Sequence, residues 1–189
     1  MLVLASASPR RKELLRNAGI AFEVEPANIP EEPLAGETAR PYAERLAREK
    51  ALSISRKRPN QAILGADTVV VIDDQILGKP ADQADAVRML RLLSGRTHQV
   101  ITAICLVVNG EAKVASETTS VVMCDISSAE IQSYVASGEP MDKAGAYAIQ
   151  GMASRWIPRI EGDYSNVVGL PVARVYRMLQ QAGVVGAES

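Results

Sequence analysis

The sequence is poor in the side chains that usually announce a reactive centre. Its 189 residues include one histidine, one tryptophan, one phenylalanine and two cysteines. A lone histidine, His98, excludes a multi-histidine metal centre. No nucleophile elbow of the G-x-S-x-G type accompanies it, so a Ser–His–acid triad has no support. Cys105 and Cys124 both fall in strand-like apolar runs and read as reduced core residues. An excess of one charge is also missing: 21 basic residues face 22 acidic ones, a formal net charge of -1. That balance argues against broad nucleic-acid binding but leaves room for a small anion held by a few local cations. No run approaches the roughly 20 apolar residues of a membrane span. The first residues form no signal-peptide pattern, so a cytoplasmic location is expected.

Apolar material is plentiful, at 47% of residues, and supports a packed core. The length fits one domain or two small lobes sharing a core. Met1 to Ala5 reads as a buried strand, followed by the polar turn Ser6-Ala7-Ser8. Pro9 suits the first position of a helix with Leu14, Leu15 and Ala18 as apolar positions and Gly19 as its stop. Phe22 to Glu25 reads as a strand, residues 28–36 as an exposed loop and residues 38–57 as a long helix. Ala62 to Ile72 is an apolar strand leading through Asp73-Asp74 into a hairpin partner, Gln75 to Leu77. Asp82 can cap a helix that runs to Leu93, closed by Gly95. Two long strands, His98 to Val108 and Glu111 to Cys124, flank the hairpin signal Asn109-Gly110. Ser127 and Glu130 form a capping box for a helix ending at Gly138. Ala146 to Gln150 and Arg155 to Ile160 read as short strands, and Pro171 begins a last helix ending near Gly183. Hairpins mixed with crossovers predict an α/β fold with a mixed sheet.

Five places could carry chemistry. Arg10 and Arg11 lie in the first turn of a helix, where cations oppose the helix dipole at a cost of about 0.3–1 kcal/mol each. With Ser6, Ser8 and the free backbone N–H groups they would suit a phosphate chain; alternatively the arginines point to water. The turn lacks the glycines and the terminal Lys-Ser/Thr pair of a P-loop. Asp67 interrupts an apolar strand, where a carboxylate is expensive unless paired, hydrogen-bonded or metal-bound. It is a metal ligand or general base, or else it satisfies backbone N–H groups at a strand end. Gly65, two residues earlier, leaves room for a close approach by another group. Lys50 sits on the apolar stripe of its helix beside Leu46, Ala47 and Ile54, as a cleft cation or a snorkelling side chain. Lys79 in L-G-K-P and the acidic pair Glu31-Glu32 are cleft groups or solvated loop charges. Trp156 and Phe22 read as packing residues.

Seven blocks in order resemble the Maf family of nucleotide pyrophosphatases. They are L-A-S-A-S-P-R-R-K-E-L-L (Leu4 to Leu15), R-L-A-R-E-K-A (Arg45 to Ala51), L-G-A-D-T-V-V (Leu64 to Val70) and L-G-K-P-A-D (Leu77 to Asp82). M-L-R-L-L-S-G-R-T-H-Q-V (Met89 to Val100), E-P-M-D-K-A-G-A-Y-A-I-Q-G (Glu139 to Gly151) and Y-S-N-V-V-G-L-P (Tyr164 to Pro171) complete the set. The resemblance implies one Maf-like domain over residues 1–189, an elongated mixed sheet in two lobes with a central cleft, similar to inosine-triphosphate pyrophosphatases. It implies metal-dependent hydrolysis of nucleoside triphosphates to monophosphate and pyrophosphate, with Mg²⁺ or Mn²⁺ as cofactor. Asp67 falls on the catalytic carboxylate, and Arg10, Arg11, Lys50 and Lys79 on basic cleft positions. Glu31 falls on an acidic cleft position, with Glu32 as its alternative, and is expected to hold the metal together with Asp67. Arg10, Thr68 and Gln150 fall on positions of base selection, and Ser6 and Ser8 would bind substrate through their turn. G-A-D-T together with D-K-A-G-A-Y-A-I-Q-G resembles the branch acting on dTTP and UTP. A broader role in clearing modified nucleotides, and a nucleotide-binding role in septum formation without important turnover, are the two rival functions. The expected partner is a small nucleotide, with no nucleic acid and no membrane; family members often form homodimers.

Overall fold

A computed structural model describes residues 1–185 of the chain. Strand β1 (Leu2–Leu4) feeds helix α1 (Pro9–Asn17), which returns the chain to β2 (Phe22–Val24), parallel to β1. Parallel pairing needs such a crossover, and α1 supplies it. Helix α2 (Ala39–Ser55) is the second crossover, leading to β3 (Ala62–Ile72) on the other side of β1. Beyond β3 the sheet turns antiparallel. The chain runs on through β4 (Gln75–Leu77), helix α3 (Gln83–Leu93), β5 (Thr97–Val108) and β6 (Glu111–Val122). Helix α4 (Ser128–Ala136), β7 (Arg159–Glu161), a short α5 (Tyr164–Val168) and α6 (Val172–Gln181) complete it. The strand order is β2-β1-β3-β5-β6-β7, with β4 added to the far end of β3.

The two hairpins form where their turn residues demand. Asp73 and Asp74 have φ of 49° and 59°, and Asn109 and Gly110 have 52° and 82°, as a type I′ turn requires. Three apolar clusters flank the sheet. Helix α2 covers one face through Ala43, Leu46, Ala47, Ala51 and Ile54, packed on Ile63, Val69 and Ala103. On the opposite face, Leu15 of α1 and Val175 and Leu179 of α6 pack on Leu64, Ala66 and Ile104. The third cluster joins α3 and α4 to the distal ends of β3 and β5 through Val70, Ile72, Leu90, Val100 and Tyr134. The result is the expected mixed sheet in two lobes, with the cleft where the clusters meet. No helix among the described residues is long and apolar enough to cross a membrane.

Four sequence expectations need correction. Ala146 to Gln150 is not a strand: it follows a 3₁₀ turn (Ala144–Ala146) in which Gly145 and Ala146 have φ of 69° and 60°, which takes the backbone out of the β region. Arg155 to Ile160 divides between a 3₁₀ turn (Met152–Trp156) and β7, which pairs only with Ser120 to Val122. Strand β6 stops at Val122 because Cys124 N–H donates to Trp156 O and Cys124 O accepts from Gly95 N–H. Cys124 is therefore exposed, whereas Cys105 is buried in β5. Helix α5 was not anticipated; at five residues, capped by Asp163 Oδ1 on Ser165 N–H, it is too short to show a periodicity.

Candidate active site

The Ser6–Ser8 turn follows β1 directly, and Ser8 caps α1 by accepting from the backbone N–H of Arg11 at 3.5 Å. The two arginines of the first turn then part ways. Arg11 folds into the protein: Nε donates to Gly169 O (2.8 Å), Nη1 to Ala66 O (2.9 Å) and Ser6 Oγ (3.1 Å), and Nη2 to Thr68 Oγ1 (3.0 Å). Four of the five N–H groups of a guanidinium are thus committed to the protein. Burial pushes Arg11 below its ordinary pKa, against the pull of Asp67, but an arginine remains a cation at neutral pH. Arg10 stays at the cleft mouth, where Nη1 meets Asp142 Oδ2 at 3.4 Å. Asp142 belongs to the opposite lip, so this ion pair bridges the opening.

Successive residues of β3 point to opposite faces. Asp67 therefore faces α2, while Thr68 faces Arg11 and Thr102. The Thr68 hydroxyl accepts from Arg11 and lies 2.9 Å from Thr102 Oγ1. Thr102 in turn donates to the carbonyl of the fully buried Asn166. Asn166 also accepts from Thr102 N–H and donates to Val100 O and Thr119 Oγ1, pinning the turn whose Gly169 carbonyl holds Arg11. Asn166 lay inside the Y-S-N-V-V-G-L-P block, and a buried Asn in an apolar context was its only individual signal.

On the α2 face, Lys50 Nζ stands 2.7 Å from Asp67 Oδ1 and 2.7 Å from Glu31 Oε1. Gly65 makes this possible. A Cβ at that position would overlap the Ala47 carbonyl oxygen and stand 2.7 Å from the Ala51 N, so only glycine lets α2 lie this close to β3. Burial pushes the Asp67 carboxyl up, and the charges of Lys50 and Arg11 reduce that rise without cancelling it. For Glu31 burial also acts upward, but the hydrogen bond and charge of Lys50, with Lys79 and Arg11, hold it below its ordinary value. Glu31, rather than Glu32, reaches Lys50; the Glu31 carbonyl accepts from Tyr42 Oη at 2.7 Å, which fixes the loop. Glu32 instead offers its carbonyl to Arg45.

Lys79, Lys143 and the segment Tyr147 to Gln150 form the far wall of a cleft of about 480 Å³. That is the size of a small-molecule site. Gln150 is exposed to the cleft, which is also lined by Ser6, Ser8, Arg10, Arg11, Glu31, Lys50, Asp67, Thr68 and Lys79, whereas Glu32 does not line it. Asp142, Glu139 and Tyr134, which organise the far wall, were not singled out.

The donor set fits a divalent cation that is shared with its substrate. No group of three or more His, Cys, Asp or Glu suited to a metal occurs among the described residues. Magnesium sites, however, commonly use one or two carboxylates plus phosphate oxygens and water. Asp67 Oδ2 has no hydrogen-bond partner among the described residues, and Glu31 stands on the same lysine.

Comparison with known proteins places this geometry in a family. The sequence model described as "Maf-like protein" matches residues 1–182. A dTTP/UTP pyrophosphatase of Koribacter versatilis is 59% identical over 97% of this chain and 95% of its own length. Those of Symbiobacterium thermophilum and Syntrophomonas wolfei are 52% and 50% identical, covering 96% and 95% of this chain and 94% and 96% of their own. With a family match over almost its whole length and relatives this similar, the chain belongs to the Maf family of nucleotide pyrophosphatases.

Proposed function

We propose that the cleft binds dTTP or UTP and hydrolyses the bond between the α- and β-phosphates, giving the nucleoside monophosphate and pyrophosphate. The observation that carries this reading is the carboxylate Asp67, buried in a cleft that Arg10, Arg11, Lys50 and Lys79 also line. Four cations suit a triphosphate, and a pure binding site has no need of a carboxylate facing a polyanion. The names of the relatives, dTTP/UTP pyrophosphatase, point to the same substrate class. Residues 1–189 are read as one domain acting in the cytoplasm.

The reaction is mainly positioning and charge neutralisation. Arg10 and Lys79 lie at the cleft surface and take the phosphate oxygens, and the Ser6 hydroxyl keeps its proton free to donate. Arg11 supports from beneath, since its donors are largely committed. Lys50 favours the charged form of Asp67 and opposes the effect of burial. Asp67 accepts a proton as water attacks the α-phosphorus, and the bond to the bridging oxygen of pyrophosphate breaks. Gln150 offers a donor and an acceptor to the edge of a uracil or thymine. Asp67 and Glu31 are the residues to hold Mg²⁺ or Mn²⁺, which when bound would offset phosphate charge and acidify water.

The test is incubation with dTTP and Mg²⁺ in ¹⁸O-water. The reading expects dTMP carrying the label, with unlabelled pyrophosphate. dTDP with orthophosphate, or label in pyrophosphate, overturns attack at the α-phosphorus. Asp67→Asn is expected to lower kcat at least about 100-fold while nucleotide affinity changes much less. Equal losses would reduce the carboxylate to a binding group.

A further inference from the structure

The segment that carries Gln150 has no secondary structure of its own. Residues 147–150 are neither helix nor strand, and they follow Ala146, a buried non-glycine residue with φ of 60°. Such a backbone costs on the order of 1 kcal/mol and persists only where its surroundings impose it. Two side chains impose it, Tyr134 of α4 and Glu139 of the 3₁₀ turn that follows (Glu139–Asp142). The hydroxyl of Tyr134, a fully buried side chain, accepts from Ala148 N–H at 3.2 Å and donates to Glu139 Oε1 at 2.8 Å. The same Glu139 oxygen accepts from Met152 N–H at 3.0 Å. Gly151 lies directly against this carboxylate, and a Cβ there would overlap Glu139 Oε1. Ala148 and Met152 are each two residues from Gln150, one on either side. One hydroxyl and one carboxylate therefore grip both flanks of the residue that faces the cleft.

We propose that Tyr134 and Glu139 are positioning residues for base recognition. They hold Gln150 at the depth and angle needed to read a pyrimidine edge, without touching the nucleotide. The Tyr134 ring is locked edge-on against Trp156, with ring centroids 5.2 Å apart, and Trp156 Nε1 donates to Glu130. The anchor thus belongs to the packed cluster behind the far wall, while Ser6, Arg10 and Arg11 stand on the α1 side of the cleft. Discrimination of the base and grip on the phosphates become separable properties. This inference rests on the reading of Gln150 as the base-recognition residue.

Tyr134→Phe removes the hydroxyl and keeps the ring. With dTTP its KM is expected to rise about tenfold with kcat within about twofold, because a buried N–H and a carboxylate lose their shared partner. Inhibition by inorganic tripolyphosphate, which has no base, is expected to stay as in the wild type. Glu139→Gln retains an oxygen able to accept from both Tyr134 and Met152, and is expected to keep the wild-type KM within about twofold. Equal weakening toward dTTP and tripolyphosphate, a fall in kcat alone, or no change at all overturns the proposal. If Tyr134→Phe does not fold, the same measurements on Glu139→Ala decide, since that change leaves the aromatic packing in place. Gln150→Ala separates the two layers. An unchanged KM for dTTP in that variant sinks base reading by Gln150; a raised KM there with none in Tyr134→Phe sinks only the anchoring.

Discussion

Lys50 Nζ lies 2.7 Å from Oδ1 of Asp67, an ion pair between a helix and the strand beneath it that depends on a residue with no side chain. Gly65 allows α2 to settle on β3, and the helix then delivers Lys50 to the carboxylate. Gly65→Ala is expected to lower stability by about 3 kcal/mol, because its Cβ meets backbone rather than a mobile side chain. Activity measured on the fraction that remains folded should fall as well. Urea denaturation and kcat on the soluble variant check this; a fully active, fully stable variant would contradict the role given to the glycine.

Removing the lysine should expose the cost of the buried acid. Burial already raises the Asp67 carboxyl, and Lys50→Met removes the main opposing charge. A carboxyl raised in the folded state contributes most to stability below its unfolded value, and loses that contribution as pH rises through the folded value. The variant is therefore expected to be about 3 kcal/mol less stable than wild type at pH 7, in EDTA, with the deficit shrinking toward pH 4. Denaturation midpoints at the two pH values decide; a deficit that grows on acidification has the wrong sign.

His98 is not among the residues that line the cleft, yet it should dominate one part of the stability profile. It is 2% exposed, its Nε2 lies 2.7 Å from Tyr147 Oη, and its Nδ1 has no partner among the described residues. Burial lowers its pKa from 6.5 to about 4. A depressed value means stability that is present above the unfolded pKa and lost as pH falls through the folded one. Between pH 7 and pH 4 the protein is expected to lose about 3 kcal/mol from this group, so the stability gap to His98→Gln should narrow by that amount. A parallel pair of stability curves would refute the assignment.

Asp142 occupies Arg10 at the cleft mouth, across 3.4 Å, with its own carboxylate exposed. Exposed pairs of this kind contribute little to stability. Asp142→Asn is expected to leave the denaturation midpoint unchanged and to lower KM for dTTP about threefold, since Arg10 is released to the phosphates. A raised KM would make Asp142 a substrate ligand instead of a competitor.

The local elements were legible in the sequence wherever one short-range interaction fixed them. The Asn109-Gly110 turn, the Ser127–Glu130 capping box, the Asp82 cap and the strand Ala62–Ile72 all formed at the expected places. The cleft residues were legible too, because an acid in an apolar strand and a lysine on an apolar helix stripe are costly until something pairs them. Their pairing with each other was not legible, since the chain over a separation of 17 positions carries no sign of how α2 crosses β3.

The sequence by itself determined the family blocks, the mixed sheet and the identity of the charged groups available to a phosphate chain. Tertiary structure alone decided what each group is free to do. It turned Arg11 inward onto two carbonyls and two hydroxyls, left Arg10 at the surface, and chose Glu31 over Glu32. It also replaced the expected strand at Ala146 to Gln150 with a gripped loop. The reason is that propensity and periodicity act over a few neighbours, whereas Asp67 belongs to a site only through Gly65, Ala47 and Lys50. Those contacts exist only after helix and strand have packed.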